Sequence, residues 1–308
     1  MKRLACWLML AAMCGSGLAV AQEPSTAPRE AAQSSATVEA TPAIWRVQGA
    51  HGTVYLFGSI HVMRPNVDWQ TAKVKQAFAA SNVLYVEVAN LDDSSAALPV
   101  AMQLGMDTAH PLSSKISKDD VALLDKAAKS MGLPGEQVFE RMQPWLASMT
   151  LSVMPMLKDG YAPKSGIDVT LLAEAKDAGK TVKGFETMAQ QIHLLADLPQ
   201  AEQVKMLHRD LTETDKAAAE MNEMVAAWEK GDVDTIAKLE NSELEQKDPA
   251  VYQRLVVERN QRWTSTLNGV LKDPSTGTVF VAVGAAHLAG PDSVIQMLEK
   301  DGWKVERE

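Results

Sequence analysis

Apolar residues recur along the chain in two periods, and their alternation sets the expected fold. Two β-rich runs, Ile44 to Gly49 and Thr53 to Phe57, flank the turn signal His51-Gly52 and predict a hairpin. Pro65 and Asn66 mark a loop, Val67 to Ala80 has helical character, and Asn82 to Asn90 reads as a buried strand that carries one charge, Glu87. From Ser117 to about Lys158 the apolar positions fall at helical spacing in pieces punctuated by Gly132, Pro134 and Pro144, which predicts a helical insert. Ser165-Gly166-Ile167-Asp168 reads as a capping box opening a helix that ends near Gly179, followed by a short strand running into Gly184.

Farther on, Val204, Leu207, Leu211, Ala218, Met221, Val225 and Trp228 recur at helical spacing, predicting one long amphipathic helix over Ala201 to Trp228. A second helix is expected over Asp248 to Leu271, then a fully apolar strand over 278–283, a helix over Pro291 to Asp301 and a closing strand from Trp303. Strands separated by helical stretches at both ends of the chain imply an α/β fold: a central mixed sheet with helices on its faces and a helical insert.

The first residues follow a different logic. Lys2 and Arg3 precede an apolar stretch that ends in Ala19-Val20-Ala21, the pattern of a signal peptide (residues 1–21) cut after Ala21, and Gly15, Ser16 and Gly17 leave the apolar run too short to span a bilayer. Residues 22–41 are rich in Ala, Ser, Thr, Pro and Glu, the composition of a flexible lead, so the folded domain is expected over residues 42–308. The protein is thus expected to be periplasmic or secreted, with no stable membrane insertion after signal removal.

Both cysteines, Cys6 and Cys14, lie in the removable segment, so a mature metal site would have to use His, Asp or Glu. Loss of Lys2 and Arg3 takes the formal charge from −9 to −11, which argues against nucleic acid or anionic lipid as a partner and leaves peptides and small molecules open.

Candidate chemistry comes from a repeat. The strand Thr53 to Phe57 leads into Gly58-Ser59-Ile60-His61, and the strand over 278–283 leads into Gly284-Ala285-Ala286-His287. In an open α/β sheet, ligands gather at the carboxyl ends of strands, so the two histidines can face one pocket. One such histidine is ordinarily a loop residue bonded to its surroundings; a matched pair suggests a shared site.

Two imidazoles and a carboxylate make a three-ligand metal site with an open position for water, and Glu87, a charge in an apolar strand, is the leading third ligand. Glu186 has two readings: general base or support for a ligand histidine, or a carboxylate at the N-terminus of a helix beginning near Thr187. Arg259 can stabilise an oxyanion or pair with a substrate carboxylate, and its neighbour Asn260 points another way on a helix, although from spacing alone a surface salt bridge of Arg259 is the simpler reading. His51, His110, His193 and His208 sit where ordinary structural roles are commoner, and no phosphate loop, nucleophile elbow or His-Glu-x-x-His is present.

The ordered set of segments around His61, Glu87, Ile167, Glu186, Arg259 and His287, closing near Trp303, resembles the TraB/PrgY/GumN family from Trp45 to Arg307, in its exported GumN-like form. That family is related to the Tiki metalloproteases and to erythromycin esterase-like and ChaN-like folds. The resemblance implies a metal-dependent hydrolase using manganese, cobalt or zinc and acting on a peptide or other small extracytoplasmic substrate. It implies His61, Glu87 and His287 as metal ligands, with Glu186, Arg259 and Asn260 as catalytic residues around them. The competing expectations are a non-catalytic protein binding a peptide, a pheromone or an exopolysaccharide-pathway intermediate in the same pocket, and metal-free hydrolysis with histidine and glutamate as acid and base.

Overall fold

The computed structural model describes residues 37–91 and 94–308, so the predicted signal peptide and most of the predicted lead lie outside the described residues. The end of that lead is structured. Strand β1 (Val38–Glu39) pairs in parallel with β4 (Val67–Asp68), and Ala40 is buried.

The predicted hairpin is present as β2 (Ile44–Gln48) and β3 (Thr53–Ser59), paired antiparallel from Ile44 opposite Phe57 to Gln48 opposite Thr53. With β5 (Val83–Val88), β6 (Thr181–Glu186), β7 (Val279–Gly284) and β8 (Val305–Arg307) they form a six-stranded mixed sheet in the order β6-β5-β7-β3-β2-β8. The four strands β6, β5, β7 and β3 run parallel, and β2 opposes its neighbours. Their carboxyl ends therefore open on one edge of the sheet.

Both faces of the central strands β5, β7 and β3 are largely buried, which is why these strands are mostly apolar, whereas the edge strand β6 exposes Thr181, Lys183 and Gly184. Phe57, Leu84, Val86, Phe280 and Ala282 turn toward a core shared with the helices Ala72–Ala80, Ile167–Asp177 and Ala217–Glu229. Leu56, Tyr85, Val279, Val281 and Val283 turn the other way, against Trp263, Leu267 and Leu298 of the helices Glu258–Lys272 and Val294–Lys300. Each fully buried Phe, Leu or Val side chain contributes roughly 1.5–3 kcal/mol by its removal from water.

The helical insert has a core of its own, with Leu112, Leu124, Phe139, Ala147, Leu151 and Leu207 buried together between Lys118–Ser130, Pro144–Lys158 and Gln200–Thr212.

Three predicted elements differ. Of the stretch Val67 to Ala80 read as helical, Val67–Asp68 is strand β4 and the helix spans Ala72–Ala80. The long helix over Ala201 to Trp228 is broken into Gln200–Thr212 and Ala217–Glu229 by a short turn at Thr214–Lys216. The first half buries Leu207 and Leu211 in the insert and the second buries Met221 and Trp228 under the sheet, so an unbroken rod would have to serve two cores. Thr214 Oγ1 donates to the carbonyl of Asp210 at 2.7 Å, a local bond of the kind that bends a helix. The predicted capping box at Ser165 is also not made. Pro163–Ser165 is a single tight turn, Gly166 precedes the helix without a side-chain cap, and Asp168 is used elsewhere.

Candidate active site

All four parallel strands deliver site residues at their carboxyl ends. His61 follows β3, Glu87 lies near the end of β5, Glu186 ends β6, and His287 follows β7 in the turn Ala285–Leu288. The register sets Ser59 beside Gly284 and Val88 beside Glu186, so the side chains leave the sheet at one level. Arg259 and Asn260 enter from the helix Glu258–Lys272 and are fully buried, which replaces the surface salt bridge that spacing alone suggested. The six predicted residues thus come together.

Arg259 is the hub. Its Nη2 donates to Glu87 Oε2 at 2.6 Å and to Glu186 Oε2 at 2.9 Å, its Nε donates to both Glu186 oxygens, and its Nη1 donates to His287 Nε2 at 2.9 Å. The guanidinium also lies 4.6 Å from the ring centre of Trp263, which in turn stands 4.5 Å from the His287 ring. Glu87 is further held by the backbone N–H of Gly284 at 2.8 Å and by Gln191 Nε2 at 2.9 Å. Burial works against ionising Glu87, but the charge of Arg259 above all, then that of His61 and the hydrogen bonds from Gly284 and Arg259, keep its carboxyl below the ordinary range. Glu186 is therefore an Arg259 partner; the helix after it, Met188–Ala196, is capped instead by Thr187 and Gln190.

The two histidines differ in their partners. His61 Nδ1 donates to Asp168 Oδ2 at 2.5 Å, while its buried Nε2 has no hydrogen-bond partner among the described residues and lies 3.9 Å from Glu87 Oε1. Burial alone would lower its pKa, yet the charge and hydrogen bond of Asp168, with Glu87 behind, raise it to about 9. His287 donates from Nδ1 to Asn260 Oδ1 at 2.7 Å and accepts from Arg259 at Nε2, which requires the neutral ring. Burial and the Arg259 charge hold its pKa well below 6.5. Asn260 is itself fixed by donating to the carbonyl of Asp292 at 2.7 Å.

Two residues of this network escaped sequence reasoning. Asp168 was assigned to a helix cap; it reaches His61 because a Cβ on Gly166 would lie 2.2 Å from the carbonyl oxygen of His61, an approach open to glycine alone. The signal was a glycine beside an acid at a helix start. Gln191, on an otherwise apolar helix face, could have been found as a buried amide without a local use.

The donor atoms can be tested against a metal ion. His61 Nε2 and Glu87 Oε1 converge beside Gly284, where a Cβ would stand 3.7 and 3.2 Å from them. His287 Nε2 is directed instead at Arg259, and no group of three or more His, Cys, Asp or Glu is arranged to hold an ion among the described residues. Two ligands about 2.1 Å from one tetrahedral ion lie about 3.4 Å apart, less than the 3.9 Å found. As arranged, two of the three predicted donors face one point but stand about half an ångström farther apart than one tetrahedral ion would hold them, and the third is engaged by a guanidinium.

The pair opens on a cleft of about 420 Å³, measured out to solvent, whose wall includes Ile60, Met224, Ile236, Ala285 and Glu240. No helix among the described residues is long and apolar enough to cross a membrane.

A mixed α/β domain with paired Gly-x-x-His loops on adjacent parallel strands, an acidic residue on the next strand and a buried arginine between them defines a specific class of protein. A profile of the TraB/PrgY/gumN family matches residues 43–307, and the chain belongs to that family. It is 28% identical over 251 residues to the uncharacterized protein YbaP of Escherichia coli, covering 79% of this chain and 87% of that one. It is 26% identical over 302 residues to the metalloprotease TIKI1 of Danio rerio, covering 82% of this chain and 60% of the relative, and 24% identical to the metalloprotease TIKI2 of the same fish, covering 82% and 58%. The chain thus spans less than two thirds of these metalloproteases. No solved structure matches it.

Proposed function

We propose that this protein is a hydrolase of peptides or similar small carbonyl substrates, metal-assisted and working outside the cytoplasm. The observation that carries the reading is the buried, unpaired Nε2 of His61 facing Glu87 Oε1 across 3.9 Å at the floor of an open cleft. The relatives named metalloprotease support the reaction class, and the signal-like residues 1–21 support export.

Asp168 fixes the ring so that Nε2 faces the cleft, and a proton held there can pass to a departing amine or alkoxide. Glu87 is the carboxylate placed to take a proton from an attacking water, but Arg259, Gln191 and Gly284 make it a weak base. A divalent ion held by His61 and Glu87 would supply the missing activation by lowering the pKa of water toward about 7 and polarising the carbonyl. Manganese, cobalt and zinc are the ions to try. Arg259, Glu186 and Asn260 then act as positioning residues.

The seat of Arg259 on His287 Nε2 favours a second reading, metal-free hydrolysis with His61 as acid and Glu87 as base. A peptide library incubated with the mature protein and read by mass spectrometry, with and without each metal and a chelator, separates the two. Cleavage is expected in the parent and absent in Glu87→Gln, and chelator-insensitive cleavage selects the metal-free form. Full activity in Glu87→Gln overturns the assignment of the site.

A further inference from the structure

Ser59 carries a hydroxyl that the reaction above does not use. Five serines are buried among the described residues, and four of them commit their hydroxyls to the fold. Ser81 donates to the carbonyl of Ala77 at 2.8 Å, Ser152 to that of Ser148 at 3.0 Å and Ser148 to the Asp210 carboxylate, while Ser293 accepts the backbone N–H of Gln296 as a helix cap. Ser59, 2% exposed, has no hydrogen-bond partner among the described residues and lines the cleft beside His61. A buried hydroxyl left unpaired costs stability, so its place on a cleft calls for a ligand that pairs with it.

The sheet sets its position. Ser59 ends β3 opposite Gly284 at the end of β7, and in parallel pairing the two present their side-chain positions to the same face, one strand spacing apart. On that face Phe57 meets the core that holds Met224 and Ile236, and two residues farther on Ser59 meets the same wall where it borders the cleft. Gly284 brings no side chain. The point its Cβ would occupy is 3.2 Å from Glu87 Oε1 and 3.7 Å from His61 Nε2, so hydroxyl, carboxylate and imidazole surround one place on the cleft floor.

We propose that Ser59 is a catalytic residue whose hydroxyl donates to the carbonyl oxygen of the substrate and holds it as it becomes an oxyanion. When water adds to the carbonyl carbon, the π pair moves onto that oxygen and one water proton passes to Glu87. The oxyanion then reforms the carbonyl as the C–N or C–O bond breaks, the departing atom takes the His61 proton, and the proton on Glu87 returns to His61. A donor placed at the developing charge acts more strongly in the tetrahedral state than in the ground state. The proposal rests on the hydrolase reading for its kinetics; ketone binding tests the donor without turnover.

The parent is compared with Ser59→Ala and Ser59→Thr. Ser59→Ala deletes an unpaired hydroxyl, so its Tm is expected to equal or exceed that of the parent; a clear fall would mark a structural hydroxyl and overturn the proposal. In chelator-treated protein the trifluoromethyl ketone of Nα-acetyl-alanine, whose hydrate is tetrahedral like the intermediate, is expected to bind about a hundredfold more tightly than the matching methyl ketone. Ser59→Ala should reduce that preference about tenfold or more and leave the methyl ketone unchanged. On any peptide the parent cleaves, Ser59→Ala should lower kcat by about 10²–10³-fold with KM nearly unchanged, and Ser59→Thr, which keeps the hydroxyl, should restore most of the loss. A parent that does not distinguish the ketones, a preference that survives in Ser59→Ala, or a ketone joined covalently to Ser59 overturns the proposal. Preference lost in Ser59→Ala without hydrolysis of any peptide by the parent keeps Ser59 as the donor and sinks the hydrolase reading; hydrolysis that keeps its kcat in Ser59→Ala does the reverse.

Discussion

The loops carrying His61 and His287 share a sequence pattern and a place at the ends of adjacent parallel strands, yet they hold their imidazoles in opposite states. His61 faces the carboxylates of Asp168 and Glu87 and is raised to about 9; His287 faces Arg259 and is kept neutral. Backbone position is thus common to the pair, while protonation is assigned by what other elements bring to each ring. His61 offers an open nitrogen to the cleft; His287 serves as a strut between Asn260 and Arg259.

The largest test of this contrast removes its cause. Arg259→Met leaves Glu87 and Glu186 buried without their shared counter-charge and is expected to cost about 3–5 kcal/mol, measured as the shift in urea unfolding. A cost near zero would show that the carboxylates are neutral and that the contrast between the histidines has another origin.

Stability against pH comes next. A histidine of the unfolded chain releases its proton near 6.5, whereas folded His61 holds it to about 9, so its contribution is complete below 6.5 and is lost as pH rises through 9. Metal-free protein should lose up to about 3 kcal/mol over that interval. His287 runs the other way: below 6.5 the unfolded chain takes up a proton that the folded ring refuses, so stability falls as pH falls. Unfolding free energies measured from pH 5 to 10 should show both slopes, and Asp168→Asn should flatten the alkaline one. An alkaline slope unchanged in Asp168→Asn would remove Asp168 as the source of the difference.

The smallest effect is expected from Gly284→Ala. Its Cβ would stand 3.2 Å from Glu87 Oε1, so the carboxylate must yield by a few tenths of an ångström. A loss of about 1 kcal/mol is expected, read as a modest fall in Tm. A fall as large as that of Arg259→Met would mean that the backbone at this position, and not the charges around the rings, governs the site.

Much of the sheet was legible because its strands obey local rules. The hairpin with His51-Gly52 at its turn, the buried strand around Glu87 and the apolar strand before Gly284 all stand where two-residue alternation or a continuous apolar run places them. The helix over 201–228 was misjudged because its periodicity persists across Thr214, although the two halves serve different cores. Site residues on strand ends were found by the same logic. Asp168 was missed because an acid after a serine and a glycine has a sufficient local use, and only the approach of Gly166 to the backbone of His61 diverts it.

By itself the sequence determined the α/β class and the four residues at strand ends, His61, Glu87, Glu186 and His287, that gather at one edge, since these depend on spacing and on glycine and proline within a few positions; Arg259 and Asn260 came only from the family resemblance. Tertiary structure alone decided which histidine has its pKa raised and which has it lowered, and that Arg259 is buried between two glutamates. The reason is physical: electrostatic partners act through space over a few ångströms, and residues about a hundred positions apart, such as His61 and Asp168, become neighbours only when the sheet and its helices close around them.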